Sequence, residues 1–354
     1  MNLATTLAMY SAIVAVFTAL GIEGMRRWGS RRLLDIPNER SSHTRPTPKG
    51  GGLPLIVVAL GVWIWTQGLD GMLGAPASLA LVIGAVIVAL VSWIDDLQGM
   101  AFRTRLGVHI LAGAIVLLSA PPPSSVLLPG LGEVPLGPLA WPLALVWIAG
   151  LTNAFNFMDG IDGIAGGQGL VAALGWVALG HGFHGNFIAA LGLFLAVGCV
   201  VFLLFNWHPA RIFMGDVGSA TLGFIFAALP FVFSASPWTP ERSFWIVGVA
   251  FVWPFVFDTG FTLVRRWRRG EKVTDAHRSH LYQRLVIAGW GHARTSALYI
   301  GWAVSTSIAG WAMAKEMPSS GLIGLAWAAW SGVMVWRLTL AVESKSNGAR
   351  PREG

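Results

Sequence analysis

Long apolar runs, each closed by a short polar segment, repeat along the whole chain. A helix needs about 20 apolar residues to cross a bilayer core. Candidate runs fall at Leu3–Leu20, Leu53–Trp65, Ala75–Ile94, Leu106–Ala120, Pro138–Leu151, Ile164–Leu179, Phe187–Phe205, Ser219–Phe233, Phe244–Val264, Ser296–Met313 and Gly321–Leu340. Their lengths, and the lack of period-two alternation, predict helices rather than barrel strands. The expected fold class is all-α integral membrane, a polytopic bundle of about 10–11 transmembrane helices with its functional groups on the loops of one face. No stretch suits a soluble domain, so residues 1–342 read as one membrane domain and 343–354 as a disordered tail. The Pro-rich stretch Pro121–Pro138 reads as a loop on the opposite, outer face.

Composition agrees: mean hydropathy is +0.64, and 55% of residues are hydrophobic. No Lys or Arg precedes the first run, and Arg26 follows it. That order is the reverse of a cleavable leader's, so a retained first helix with its N-terminus outside is expected. Threading the runs alternately puts all of the 24 basic residues inside except Arg242 and Lys315. The net charge of +7 is then a topology signal, and no nucleic-acid partner is expected. Cys199 is the only cysteine, so no internal disulfide forms.

Charged residues make up only 12% of the chain, yet several inner segments concentrate polar chemistry. Ser92–Arg105 carries Asp95 and Asp96. Adjacent acids at a membrane exit repel unless a divalent cation or a proton relieves them; the plainer alternative is a pair of helix-terminal acids facing water. In Asn153–Gly163, the residues Asn153, Asn156, Asp159 and Asp162 recur at every third position, which predicts one face of a helical or 3₁₀ turn. Gly160 and Gly163 would let the backbone approach a ligand, and the ligand pattern of a calcium loop is missing. Asn206–Ser219 sets Asp216 between glycines at a helix start, as an N-cap or as a metal ligand. Phe213 on the same segment either stacks on a base or fills a gap between helices.

Asp275–Arg284 follows the basic run Arg265–Arg269, which suits anionic lipid. His277, Arg278 and His280 add phosphate-binding donors there, while a zinc site would need ligands from distant loops. His181 and His184, on an outer turn, read as solvated. The first inner loop, Asp35–Gly52, mixes Arg40, His43, Arg45 and Lys49 with turn formers. It suits a mobile loop closing on an anion, or simply a basic linker. Acids for a cation, cations for phosphate and glycines for close approach together suit phosphoryl transfer between a soluble nucleotide and a lipid.

Four markers carry a family resemblance: Asp95-Asp96, the run from Asn153 to Gly163, Phe213-Met-Gly-Asp-Val-Gly-Ser219, and His277-Arg-Ser-His280. Over nearly its whole length the chain resembles the polyprenyl-phosphate N-acetylhexosamine-1-phosphate transferases, glycosyltransferase family 4. The resemblance implies a UDP-N-acetylhexosamine donor, undecaprenyl phosphate as acceptor, UMP as product and Mg²⁺ as cofactor, with Mn²⁺ the alternative. It also implies a bacterial inner membrane with the site at the cytoplasmic face. Carried over by motif, Asp216 would be the principal Mg²⁺ ligand with Asn156 beside it. Asp95 and Asp96 would sit at the acceptor phosphate, Asp95 as base or orienter. Asp159, Gly160 and Asp162 would line the uridine site with Phe213 on the base. His277, Arg278 and His280 would bind diphosphate or sugar, and Asn153 and Asn156 would orient metal or phosphates. His43, Arg45 and Lys49 would join the substrate site from the first loop.

Two departures place the chain within the family. The peptidoglycan branch has a Lys shortly after its paired acids and a three-histidine cluster; here Asp96 is followed by Leu97-Gln-Gly-Met100, and the histidine loop reads His277-Arg-Ser-His280. Both resemble the branch that initiates O-antigen and exopolysaccharide. The alternatives are a peptidoglycan-branch phospho-MurNAc-pentapeptide transferase, a lipid or solute transporter or flippase, and an inactive scaffold. Acids at helix ends on one side only argue against an ion pathway at the bilayer midplane. The sequence leaves the donor sugar and homodimerisation open.

Overall fold

The apolar runs become helices because a backbone crossing lipid must satisfy its polar groups internally. The computed structural model describes residues 3–37, 42–73, 75–128, 132–183, 186–236, 244–272, 277–315 and 320–349. The helices are α1 (Leu3–Arg32), α2 (Gly52–Leu73), α3 (Pro76–Gln98), α4 (Phe102–Ser119), α5 (Ala140–Phe157), α6 (Ile164–Gly182), α7 (Asn186–Asn206) and α8 (Asp216–Ser234), then α9 (Trp245–Phe251), α10 (Trp253–Arg268), α11 (Leu281–Ile287), α12 (His292–Ala314) and α13 (Ser320–Ala349). Among the described residues, nine helices are long and apolar enough to cross a membrane, or ten if the bent pair α9–α10 is one span. The helix α2 adds a shorter apolar segment through Gly68. The protein is an all-α polytopic membrane protein, as its pattern predicts.

At the centre stands α8. Every residue from Val217 to Phe233 is buried, and α2, α3 and α5 pack around it. A helix apolar on all sides belongs inside other protein. Small residues permit the close approach: a Cβ on Gly218 would lie 2.6 Å from Gly52 Cα, and one on Gly84 would lie 2.4 Å from the Phe224 ring. By contrast, α1 and α13 carry exposed apolar side chains, such as Phe17, Leu20, Leu322 and Ile323, as suits lipid-facing helices.

Several elements depart from the pattern. The run Phe244–Val264 is not one helix: it breaks at Val252, where α9 and α10 meet at 86°. Pro254 in the first turn of α10 supplies the local cause. The carbonyl of Phe251, freed at the break, accepts from buried Gln168 Nε2 of α6 at 2.8 Å. The Pro-rich stretch 121–138 holds a hairpin, β3 (Ser125–Leu128) against β4 (Gly132–Pro135). The first loop holds a short pair, β1 (Leu34–Asp35) with β2 (Thr47–Pro48). Beyond residue 342 the chain stays helical to Ala349, which corrects the expectation of a disordered tail over that part. An ion pair from Arg284 of α11 to Glu343 ties down its start. His181 is exposed, as expected, and Cys199 is buried. The candidate residues Arg40, His184, Arg242, Asp275, Arg350 and Arg352 lie outside the described residues.

Gly218→Ala forces a Cβ against the Gly52 backbone, whereas a Cβ on Gly61 of α2 meets nothing within 4 Å. Thermal unfolding of the purified protein should show Gly218→Ala destabilised by about 1–3 kcal/mol and Gly61→Ala unchanged.

Candidate active site

The C-terminal turns of α3 and α5 and the N-terminal turns of α4 and α8 meet at one end of the bundle, α3 delivering two polar groups and the others one each. Asp95 and Asp96 end α3, Arg105 begins α4, Asn156 ends α5 and Asp216 opens α8. Asp96 Oδ2 accepts from the backbone N of Val217 at 3.1 Å, so this carboxylate caps the buried helix α8 from outside it. Its Oδ1 lies 3.1 Å from Lys49 Nζ. Asp95 accepts from Met100 N at 2.5 Å and from Arg105. The same Arg105 Nη1 donates to Asp216 Oδ2 at 3.1 Å, so one guanidinium bridges the two acids. Asn156 Nδ2 donates to Asp216 Oδ2 at 3.0 Å, while its Oδ1 accepts from Ser219 Oγ at 2.8 Å. Asn156 therefore orients Asp216 through its nitrogen.

The first loop is zipped to the Phe213 segment by three backbone hydrogen bonds. Phe213 N donates to Pro48 O at 2.8 Å, Gly51 N to Phe213 O at 2.9 Å, and Gly52 N to Met214 O at 2.9 Å. This ladder sets His43 edge-on to the Phe213 ring at 4.8 Å. Together these groups line a polar cavity of about 300 Å³, whose walls include His43, Lys49, Asp96, Asn156, Asp159, Gly160, Asp162, Phe213 and Asp216. Arg45 is exposed and lines neither this cavity nor the groove described below.

The regular Asn/Asp spacing of residues 153–162 does not produce one shared face, because the α5 helix stops at Phe157 and the chain then turns. Asn153 points to His109, with Nδ2 at 3.0 Å from Nδ1. Asp162 bonds to a different set of groups. Its Oδ2 lies 2.6 Å from His208 Nδ1 and accepts Ala210 N at 3.1 Å. Its Oδ1 lies 3.4 Å from His292 Nδ1. Burial would raise this carboxyl, but the bonds from His292, His208 and Ala210 outweigh burial and hold it below the usual range. The side chains of Asp162, His208 and His292 come close enough together to hold a metal, yet their hydrogen bonds already account for the arrangement, which pins two loops. Buried Asn206 reinforces the pin, accepting from Gly163 N at 2.8 Å and donating to Ile212 O at 2.9 Å. Gly160 is required by packing as much as by any ligand: a Cβ there would lie 2.1 Å from the Tyr282 hydroxyl.

The histidine loop lies elsewhere. His277 and His280 line a mainly apolar groove of about 440 Å³ between α4, α5 and α10, with Phe102, Leu106, Phe157 and Leu263 among its walls. Burial, with the nearby His280 and Arg266, lowers the His277 imidazole to about 4, so it is neutral at pH 7. Arg278 leaves the groove and reaches Ser42 Oγ of the first loop at 3.5 Å. Arg105 and Asn153 line the groove near its polar end. Because Arg105 also holds Asp216, which lines the polar cavity, one side chain joins the two spaces. A cluster of Asp95, Asp96, Asp159 and Asp216 offers only oxygen donors, the set that suits a hard divalent cation. The excess negative charge is visible in Asp159. Burial and the carboxylates of Asp216, Asp96 and Asp162 push it up to about 8.

Three participants escape a loop-by-loop reading of the sequence. Arg105 counts there only as a topology charge, His292 begins a helix with no motif around it, and Asp258 lies inside an apolar run. For Arg105 a signal exists: a cation in the first turn of the helix that follows the paired acids.

A polar, acid- and cation-lined cavity beside an apolar groove in a membrane bundle fits a substrate that is part anionic and part lipid. The comparisons with known proteins agree. Residues 78–234 match the model of glycosyl transferase family 4. A probable undecaprenyl-phosphate N-acetylglucosaminyl 1-phosphate transferase of Bacillus subtilis is 30% identical over 274 residues, 75% of this chain and 73% of that protein. The decaprenyl-phosphate N-acetylglucosaminephosphotransferase of Mycolicibacterium smegmatis is 31% identical over 329 residues, 84% of this chain and 79% of that one. A phospho-N-acetylmuramoyl-pentapeptide-transferase of Synechococcus sp. is 29% identical over 312 residues, covering 84% and 88%. The chain belongs to glycosyl transferase family 4.

Asp159 keeps its proton in the folded state between its ordinary 3.8 and about 8, whereas the unfolded chain has released it. Folded stability therefore falls as pH rises through that window. Without added divalent cation, the wild-type melting temperature should drop across it, and Asp159→Asn should drop less.

Proposed function

We propose that the protein transfers an N-acetylhexosamine-1-phosphate from a UDP-sugar to undecaprenyl phosphate, at the cytoplasmic face of a bacterial inner membrane. The products are undecaprenyl-diphospho-sugar and UMP. The observation that carries this reading is the Arg105 junction, which brings an apolar groove to the edge of the acid-lined cavity. The relatives' names point to the same pairing of a polyprenyl phosphate with an amino-sugar phosphate.

On this reading the groove takes the prenyl chain and the cavity takes the nucleotide, with Phe213 and His43 as its aromatic wall. Arg105 receives the acceptor phosphate. That phosphate's second pKa is about 6, so at neutral pH it is mostly a dianion that needs orientation more than deprotonation. Its oxygen attacks the sugar-bearing phosphorus of the donor. The new P–O bond forms as the bond to UMP breaks, and UMP leaves with the electron pair. Lys49, held at Asp96, sits where it can neutralise the donor's diphosphate. Asp216, with Asp95 and Asp96 beside it, would hold Mg²⁺, which would supply charge neutralisation on the transferring phosphate. Direct attack is preferred to a covalent intermediate because both Asp95 oxygens are already engaged by Met100 N and Arg105. The pathway served would be the first membrane step of O-antigen or another surface polysaccharide.

The test is UMP release by purified protein given undecaprenyl phosphate, Mg²⁺ and a panel of UDP-N-acetylhexosamines that includes UDP-MurNAc-pentapeptide, with EDTA controls. EDTA-sensitive release with one amino-sugar donor is expected. Release with the pentapeptide donor alone would move the protein to the peptidoglycan branch, and no release from folded protein with any donor would overturn the reading. Asp216→Ala should lower kcat by about 10²–10³-fold or more. Arg105→Ala should chiefly raise KM for the lipid acceptor and leave KM for the UDP-sugar within a factor of a few.

A further inference from the structure

Asp258 lies in α10, fully buried, and is the only charged residue from Phe244 to Val264. A carboxylate there is costly, so its partners show what it is for. Oδ1 accepts from Leu281 N at 2.8 Å and Thr262 Oγ1 at 3.1 Å, and it lies 3.2 Å from His280 Nδ1. Oδ2 accepts from the Tyr299 hydroxyl at 2.6 Å and from Tyr282 N at 3.2 Å. Two of the five donors are the first backbone N–H groups of α11, which a neutral Ser or Asn on the loop could satisfy without burying a charge. The remaining contact of consequence is the one to His280.

A carboxylate at Nδ1 admits only the tautomer with the proton on that nitrogen, and it makes the opposite nitrogen the basic one. His280 is a wall of the groove that Arg105 also lines, and Nδ1 is the ring nitrogen turned to the carboxylate. The ring cannot turn away: it lies alongside Tyr282, with centroids 5.8 Å apart, and its backbone N–H is held by Gln283 Oε1 at 3.3 Å.

We infer that Asp258 is a positioning residue for the transfer, fixing His280 with Nδ1–H on the carboxylate and Nε2 presented to the groove, where it meets the phosphate monoester of the lipid acceptor. This rests on the transferase reading above. Asp258 touches no substrate itself. It sets the tautomer and the aim of a side chain that does.

The test has two arms, one of which needs no turnover. In ¹⁵N-histidine-labelled full-length protein, with the His280 signal assigned by its loss in His280→Gln, wild type should show a protonated Nδ1 and an unprotonated Nε2 above the His280 pKa. Asp258→Asn, which places an amide N–H where the acceptor was, should switch the proton to Nε2. Tyr299→Phe removes a different donor from the same carboxylate and should leave the tautomer as in wild type. In the kinetic arm, folded Asp258→Asn should lose about 10²-fold or more in kcat, with KM for the UDP-sugar held within a factor of a few. A wild-type His280 protonated at Nε2 would overturn the inference even if Asp258→Asn did not fold. So would wild-type kcat in folded Asp258→Asn. Failure of UMP release by wild type would remove the transferase reading and leave the tautomer result standing on its own.

Discussion

The structure depends on an unpaid electrostatic debt at the start of α8. That helix is enclosed by protein along its length, and its first residues must nevertheless gather at a cluster of carboxylates. Asp96 supplies the anion that the buried first-turn N–H of Val217 calls for, Lys49 balances Asp96, and Arg105 balances Asp95 and Asp216 together. Each cation comes from a different element, so α3, α4, α8 and the first loop hold one another in place through charge. Two cations do not match the acids present, and the residue that registers the shortfall is Asp159, which keeps its proton. A site that is short of positive charge when empty is suited to a cation and to substrates that bring one.

Most of the fold was legible in the apolar pattern, because lipid and a protein interior both demand continuous helix. The break at Val252 was less so: Pro254 marks it, but a proline near a helix start is also common where no bend follows. The site was legible as a set of motifs and less as a geometry. The spacing of Asn153, Asn156, Asp159 and Asp162 suggested one face, but the end of α5 at Phe157 sends Asn153, Asn156 and Asp162 to three different neighbours. The histidine loop carries phosphate-binding types, but nothing in its sequence says that His277 and His280 face the groove while Arg278 turns to the first loop. Asp258 did have a signal, a lone acid within an apolar run, which is informative in a membrane chain whatever the loops contain.

Acids of two kinds stand out. Asp162 and Asp258 are saturated with donors and serve to pin loops or aim a ring. Asp216 shares one of its donors, the Arg105 guanidinium, with a neighbouring acid, and Asp159 relies on a proton. The distinction separates residues that build the site from those left with capacity for a ligand, and it cannot be made from residue type.

The bend between α9 and α10 has a consequence for how two unlike substrates could meet. Because α10 leaves the direction of α9 by 86°, its Thr259 and Leu263 form one bank of the groove, and the opposite bank is α4 and α5. On the transferase reading proposed above, a prenyl phosphate confined to the bilayer would slide into such a channel sideways, searching in two dimensions, while the nucleotide would enter the acid-lined cavity from the aqueous side. With separate doors, neither substrate need wait for the other, and a lipid product can drift out without crossing the path of the next nucleotide.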